Sequence, residues 1–165
     1  MKKLVTLLLA MTFALALTAC GSQQAAQSTE TQADSSAVET LMNEGALGDF
    51  HVKILDASRG TDQEGKAAVI VRYELTNNSD KSTSFMGAVT EHVLQNGAQL
   101  TYTTQEEAKE DGVIDAMAEV KPGETATVLG AYLLENDSSE IVVQCRPAFD
   151  LEDNSVMVTR TFNLA

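Results

Sequence analysis

Apolar residues first gather in a nearly unbroken run close to the start of the chain. Lys2 and Lys3 precede residues 4–17, in which two threonines are the only polar side chains. A helix of these 14 residues is too short for a hydrocarbon core of about 30 Å, since each residue adds only about 1.5 Å. The length suits the apolar region of a secretion signal, so we predict a signal peptide over residues 1–19.

The apolar pattern is lost in the segment that follows. Residues 21–36 are rich in Gln, Ser, Thr and Ala and contain no aromatic residue. Such a segment cannot bury enough apolar surface to offset the entropy lost on ordering, so we predict a lipidated cysteine and a flexible tether over residues 20–46. Ser36 and Glu39 have the spacing of a capping box, which favours a short helical turn within this tether.

From residue 48 onward, apolar and polar residues alternate in short segments, as they do in half-buried β-strands. The alternation is clearest in residues 67–76, where four apolar side chains share one face: Val69, Val71, Tyr73 and Leu75. Other segments with an extended pattern are 50–55, 85–95, 126–134, 141–145 and 156–164. No segment after residue 48 keeps a helical period.

The strongest turn signal is the pair Asn96–Gly97. Both residues tolerate the positive φ that a two-residue type I′ hairpin turn requires. A hairpin that turns there would place Val93 opposite Leu100 and Glu91 opposite Tyr102.

About seven short strands with almost no helix over residues 47–165 predict an all-β fold, an Ig-like antiparallel β-sandwich. Residues 121–124 contain a Pro-Gly pair, which is typical of a type II turn between strands. A closed β-barrel is the alternative. Aromatic residues make up 5% of the chain, which favours the sandwich because small cores of Val, Leu and Ile pack well between two sheets. Tyr102 and Tyr132 are expected in or beside this core.

A processing motif follows the apolar run. Leu17, Thr18, Ala19 and Cys20 resemble the lipobox of bacterial lipoproteins, in which the Cys thiol is diacylated and becomes the new N-terminus. The resemblance implies a protein held by the lipid on Cys20 at the extracytoplasmic face of the cell membrane, where two acyl chains give stable anchoring. The alternative is a secreted protein that has a Cys beside its cleavage site by chance.

The composition adds a strong negative charge. The chain has 24 Asp and Glu against 11 Lys and Arg, for a net charge of −13. An acidic surface repels nucleic acid and anionic lipid headgroups, so we predict no nucleic-acid partner. The charge acts either as a solubilising coat or as a surface for a cationic partner.

Residues suited to catalysis or metal binding are scarce. Cys145 lies in an apolar strand pattern and has no disulfide partner if Cys20 is lipidated, so we expect it to be a small buried hydrophobe. The chain has two histidines and no Gly-rich phosphate loop or nucleophile motif. We therefore predict no catalytic residue and no cofactor, and we do not expect an enzyme.

Two local features are candidates for binding. Asp150, Glu152 and Asp153 lie in a predicted loop and could offer oxygen ligands to calcium. Their spacing is not that of an EF-hand, and Asp is common in turns, so we predict no metal site. Met86 would be either an exposed apolar tip or a core residue, and it is the candidate for a binding edge.

Several strand and turn motifs resemble one protein family. They are Gly48-Asp49-Phe50-His51-Val52, Gly65-Lys66-Ala67-Ala68-Val69-Ile70-Val71, Tyr73-Glu74-Leu75-Thr76-Asn77-Asn78-Ser79, Gln95-Asn96-Gly97-Ala98-Gln99-Leu100 and Val120-Lys121-Pro122-Gly123-Glu124 before Ala131-Tyr132-Leu133-Leu134. Together they are similar to domain-of-unknown-function family 5067, found on lipoproteins and secreted proteins of Gram-positive bacteria. The resemblance covers residues 46–145. It implies an Ig-like sandwich and brings no catalytic residues. Residues 105–118 are longer and more acidic than the family pattern predicts.

These patterns favour a lipid-anchored, non-catalytic module that binds a protein or glycan partner at the cell envelope. The alternative is a solute-binding or sensor accessory of a transport system. A contiguous exposed apolar patch would favour the first function, and an enclosed pocket would favour the second.

Overall fold

β-Strands make up most of the chain that the computed structural model describes, which comprises residues 40–105, 112–137, 140–149 and 156–164. The strands are β1 (Thr40–Met42), β2 (Glu44–Leu47), β3 (Phe50–Thr61), β4 (Ala67–Asn77), β5 (Val89–Gln95), β6 (Ala98–Gln99), β7 (Tyr102–Thr103), β8 (Val113–Ile114), β9 (Thr125–Leu133), β10 (Glu140–Pro147) and β11 (Met157–Asn163). A helical turn, α1 (Phe85–Ala88), precedes β5. Within the described ranges, no helix is long and apolar enough to cross a membrane.

The strands form two sheets. The first has the order β1-β11-β10-β5-β6, and the second has the order β2-β3-β4-β9-β7 with β8 also beside β9. The strands β3, β4, β9 and β7 thus share one sheet, and β5, β10 and β11 share the other, which is the constant-type immunoglobulin arrangement. The predicted Ig-like sandwich is confirmed. The other strand pairs are antiparallel, as predicted, but two short strands differ, since β1 runs parallel to β11 and β8 runs parallel to β9.

The core lies between the two sheets and follows the alternation in the sequence. Every second residue of β4 points inward, and the four apolar residues of the predicted face, Val69, Val71, Tyr73 and Leu75, are fully buried. Opposite them, β10 buries Ile141, Val143 and Cys145. Each large apolar side chain buried in this way contributes about 1.5–3 kcal/mol relative to exposure. Cys145 is free and buried, as predicted.

The fold begins earlier in the chain than predicted. Residues 40–46 were assigned to the flexible tether, but Thr40–Met42 pairs with β11 and Glu44–Leu47 pairs with β3. Leu41 packs against the core, and Leu47 is fully buried. The prediction of a tether over residues 20–46 is therefore wrong for its last part. These strands are too short to show an alternation, and their pairing comes from partners distant in sequence.

The predicted strand over residues 85–95 also needs a correction, because it begins with a helical turn. The hydroxyl oxygen of Ser84 accepts a hydrogen bond from the backbone N–H of Gly87 at 3.1 Å. This is an N-cap interaction that competes with extended structure. The strand proper begins at Val89.

The hairpin turns at the predicted pair. Asn96 and Gly97 have φ of 53° and 80°, as a type I′ turn requires. The N–H of Leu100 donates to the carbonyl of Val93 at 2.8 Å, which confirms that part of the register. The predicted pairing of Glu91 with Tyr102 is wrong, because the chain crosses to the other sheet after the buried Leu100 and Tyr102 pairs with Tyr132 of β9.

Two more local features fix the connections between strands. In the turn at residues 121–124, the N–H of Glu124 donates to the carbonyl of Lys121 at 3.0 Å and Gly123 has φ of 78°, so the predicted type II turn is confirmed. Buried Asn77 donates to the carbonyl of Val120 at 2.9 Å. This bond ties the end of β4 to the segment before that turn.

We expect Gly97→Val to lower the free energy of unfolding by about 1–3 kcal/mol, because a β-branched residue at positive φ is strained. Urea unfolding measures the change. Ala98→Val is the matched control, since it adds the same side chain at an exposed position of β6. Equal unfolding free energies for the two variants would contradict the assigned turn.

Candidate functional site

A groove lies beside β9, at the edge of β9 that pairs with two short strands. β7 pairs with residues 131–132, and β8 pairs with residues 127–128. Leu129 lies between these two pairings and lines the groove. The groove has a volume of about 590 Å³, and its walls are formed by Gln63, Met86, Tyr102, Thr104, Gln105, Val113, Ile114, Asp115, Ala116, Met117 and Leu129.

Met86, the residue predicted as a binding edge, lines this groove and is 54% exposed. Its neighbour Phe85 is buried with its ring 5.0 Å from the ring of Tyr73, which anchors the turn in the core. The N–H of Met86 donates to the carbonyl of Ala116 at 3.1 Å. Met86 is therefore the exposed tip of an anchored turn and not a core residue.

Residues 113–117, which adjoin α1 through this hydrogen bond, also line the groove. The carboxylate oxygen Oδ1 of Asp115 accepts the N–H of Met117 at 2.7 Å, and this local bond orients both residues. Ile114 and Ala116 pack against the core. Met117, between them and the solvent, is 74% exposed. The groove thus has a methionine from each of two separate segments.

Tyr102 forms part of the same groove and is 55% exposed. Its ring meets the ring of Tyr132 edge-on, with 5.8 Å between centroids. The pKa of the Tyr102 phenol is raised by partial burial and by the nearby carboxylates of Glu91 and Asp115. The expectation of a core or core-edge position is confirmed for Tyr132, which is buried, while Tyr102 offers half of its surface to the groove.

The hairpin between β3 and β4 also contributes to the groove, through Gln63. Asp62 accepts backbone N–H groups from Glu64 and Lys66 at 2.9 and 2.8 Å and the hydroxyl of Thr103 at 3.2 Å. Burial favours the neutral acid, but these donors together lower the pKa of Asp62. Gln63 donates from its side chain to the carbonyl of Gln105 at 3.2 Å. These hydrogen bonds therefore hold the β3–β4 hairpin against β7 and the residues that follow it.

Three polar side chains, those of Tyr73, Tyr132 and Glu91, follow one another from the core to the side of the molecule on which the groove lies. Glu91 occupies an inward position of β5, and its carboxylate accepts the hydroxyl of Tyr132 as well as its own backbone N–H. The Tyr132 oxygen lies 3.3 Å from the Tyr73 hydroxyl. Gly130 leaves room for this arrangement, because a Cβ there would lie 2.8 Å from the Tyr132 hydroxyl oxygen.

The pKa values of these side chains reflect their burial. Burial raises the pKa of Glu91, and the hydrogen bonds from its own N–H and from Tyr132 oppose the rise without cancelling it. Burial and the charge of Glu91 also raise the pKa of the Cys145 thiol. A thiol held in its neutral form is a poor nucleophile, so Cys145 is a packing residue.

The described residues outside this groove add little further chemistry. Among them, no group of three or more His, Cys, Asp or Glu side chains could hold a metal ion. His92 is occupied by a hydrogen bond from its ring to the side-chain oxygen of Gln99 at 2.7 Å. Cys20 and the calcium candidates Asp150, Glu152 and Asp153 lie outside the described residues. What the groove offers is apolar surface, neutral amides and the carboxylate of Asp115.

The sequence matches one family model, and the fold is similar to those of solved bacterial proteins. The family model described as "Domain of unknown function (DUF5067)" matches residues 23–147. The ycdA protein of Bacillus subtilis, described as a candidate lipoprotein, is 12% identical with a TM-score of 0.56, over 74% of this chain and 38% of that protein. A protein from Enterococcus faecalis is 18% identical with a TM-score of 0.56, over 79% of this chain and 96% of its own. No curated protein matches the sequence.

Glu91 generates a prediction about pH. In the unfolded chain its carboxyl has an ordinary pKa, whereas burial raises the pKa in the fold. The folded state therefore holds the proton more tightly and loses stability as pH rises from the ordinary carboxyl pKa through the raised one. Glu91→Gln cannot ionise, so the excess stability of this variant over wild type should grow across that window and then level off.

Urea unfolding at intervals from about pH 4 to about pH 8, which spans the ordinary carboxyl range, measures this difference. Glu140→Gln controls for the loss of one negative charge at an exposed position of β10. A difference between Glu91→Gln and wild type that stays constant with pH would show that Glu91 is not desolvated in the fold.

Proposed function

This chain belongs to the DUF5067 family of domains of unknown function, and from that premise we propose that it is a non-catalytic binding module of the bacterial cell envelope. The groove beside β9 is the observation that carries the proposal. Met86, Met117 and Tyr102 are more than half exposed there. Apolar side chains that converge on one concave surface favour a contact with another molecule.

The chemistry of the groove supports binding over catalysis. A hydrolytic or transfer reaction needs a nucleophile beside a base, or a metal with an open position. Among the residues that the structure describes, the groove walls contain one carboxylate, Asp115, and otherwise amides, a hydroxyl, a phenol and apolar groups. Neither the family description nor the structural neighbours name an activity.

The N-terminal sequence supports a place at the membrane surface. We propose that residues 1–19 are removed, that Cys20 carries the lipid, and that residues 20–39 link it to β1. The description of the ycdA protein as a candidate lipoprotein agrees with this proposal. A tethered module is held at high effective concentration near its partners, so that a weak contact is sufficient.

Replacement Cys20→Ala tests the anchor. We expect the variant to be released from the membrane fraction or to remain unprocessed, because it has no thiol to acylate. Cell fractionation and the mass of the N-terminal peptide give the result, and Cys145→Ala is the control for loss of a cysteine. Normal membrane retention together with a wild-type N-terminal mass would contradict a lipid on Cys20.

A photoreactive benzoylphenylalanine at position 117 tests the groove as a contact surface in living cells. The control is the same residue at position 42, because Met42 is also exposed, at 63%, and lies in β1 at the opposite edge of its sheet from β5 and β6. We expect light-dependent adducts from position 117 and not from position 42. The same adduct pattern from both positions would contradict a specific contact at the groove.

A solute-binding accessory role is the second candidate, because the groove volume of about 590 Å³ falls within the range of small-ligand sites. A thermal-shift screen with small metabolites distinguishes the two functions. Leu129→Trp, which places a larger side chain at a residue that lines the groove, should abolish any shift caused by a ligand bound there. A saturable shift in wild type that Leu129→Trp removes would favour the solute-binding role.

A further inference from the structure

We propose that the groove beside β9 takes a basic, amphipathic polypeptide segment, whose lysine or arginine side chain is received between Asp115 and Tyr102. The inference rests on the proposed binding function and names the chemistry of its partner. Three properties of the groove support it: the sign of its charge, an exposed aromatic ring, and a pair of methionines.

The described residues that line the groove carry charge of one sign. None of them is a lysine or arginine, and Asp115 is the carboxylic acid among them. The hydrogen bond from the Met117 N–H holds this carboxylate at the wall, so little side-chain entropy is lost when a cation binds. Glu91 adds a second negative charge close enough to act on the Tyr102 phenol. The wider chain carries a net charge of −13, which attracts basic segments from a distance.

Tyr102 provides an aromatic surface for the same cation. The edge-on contact with Tyr132 fixes its ring, while half of its surface remains in solvent. An ammonium or guanidinium group within about 6 Å of such a ring is attracted by its quadrupole. Asp115 and Tyr102 line one groove, so one cationic group can meet both.

The methionines favour a polypeptide over a small amine. Met86 and Met117 stand on separate segments of the groove wall, and their flexible thioethers adapt to varied apolar side chains. A free polyamine would satisfy the charge of Asp115 but has no branched or aromatic side chain to cover both methionines. An apolar residue beside a basic residue is the side-chain pair that fits.

Fluorescence anisotropy with the purified full-length chain and defined peptides tests the proposal. The probes are a labelled amphipathic peptide of leucine and lysine, its counterpart with glutamate for lysine, and its counterpart with serine for leucine. Spermine serves as an unlabelled competitor. The salt concentration is kept at about 0.15 M to screen long-range attraction. We expect saturable binding of the leucine–lysine peptide and at least tenfold weaker binding of the other two.

Variants locate the contact within the groove. Asp115→Asn should weaken binding of the leucine–lysine peptide roughly three- to fivefold, and its control is Glu140→Gln, which removes an equal charge outside the groove. Met117→Ala should weaken it roughly fivefold, with Met42→Ala as the control. Melting temperatures of all four variants show that the fold is kept.

Tyr102 needs a separate pair of variants because its ring also contacts Tyr132. Tyr102→Leu should weaken binding of the leucine–lysine peptide roughly two- to fivefold, whereas Tyr102→Phe keeps the aromatic face and should bind like wild type. If Tyr102→Leu loses the fold, Asp115→Asn and Met117→Ala still test the contact at the groove.

Four outcomes would overturn the inference. Equal binding of the leucine–glutamate peptide would show that the groove does not select a cation. Full displacement by spermine would assign the site to small amines. No binding of the leucine–lysine peptide, or equal effects of Asp115→Asn and Glu140→Gln, would show that no basic segment is received there. In each case, adducts from position 117 in cells would still support a binding module with a different partner.

Discussion

The structure depends on one buried hydroxyl, that of Tyr73, at the centre of the core. Its ring fills the space between the sheets and packs on Phe85. A hydroxyl without a hydrogen-bond partner in such a place would cost about 1–3 kcal/mol. The Tyr132 hydroxyl supplies that partner, and it in turn donates to Glu91. The core thus requires a polar route that ends at a carboxylate on one side of the sandwich.

The position of the Glu91 carboxylate affects the edge strand β5, on the side of the sandwich where the groove lies. Among the described strands, β6 pairs with only the last two residues of β5, so most of the outer edge of β5 has no strand beside it. Glu91 points inward there and covers its own N–H. An inward charge on an edge strand discourages pairing with another chain. Glu91 therefore has two roles. Its carboxylate completes the hydrogen bonding of the core, and its charge protects the open edge of β5 next to Tyr102.

The sequence predicts strands correctly wherever burial of one face places an apolar residue at every second position. The row from Val69 to Leu75 shows this, and the turn at Asn96–Gly97 was readable because few residues accept positive φ. The strands over residues 40–47 were missed because two short segments carry no period and depend on β11 and β3. The helical turn at residues 85–88 was missed because one cap at Ser84 determines it.

The candidate site is only partly predictable from the sequence, because its residues are brought together by strands that are distant in sequence. The sequence singles out Met86 as an apolar residue after a polar loop, but the other residues that line the groove come from elsewhere in the chain. Met117 and Tyr102 reach the groove because β8 and β7 lie against different parts of β9. The crossing after Leu100 brings Tyr102 to the second sheet, and it ends the predicted hairpin before Tyr102 can pair with Glu91. An exposed methionine and an exposed tyrosine far apart in sequence carry no signal of that meeting.

The parallel pairing of β1 with β11 has a mechanical consequence. Whatever precedes residue 40 is attached to the domain through β1, which is hydrogen-bonded lengthwise to β11, while β2 continues the contact on β3. A pull on residue 40 along the strand axis loads these bonds in shear, so several must break together, whereas a pull across the strand would unzip them singly. The domain is thereby suited to stay folded when its N-terminal side is under tension, and the groove beside β9 does not share the loaded edge.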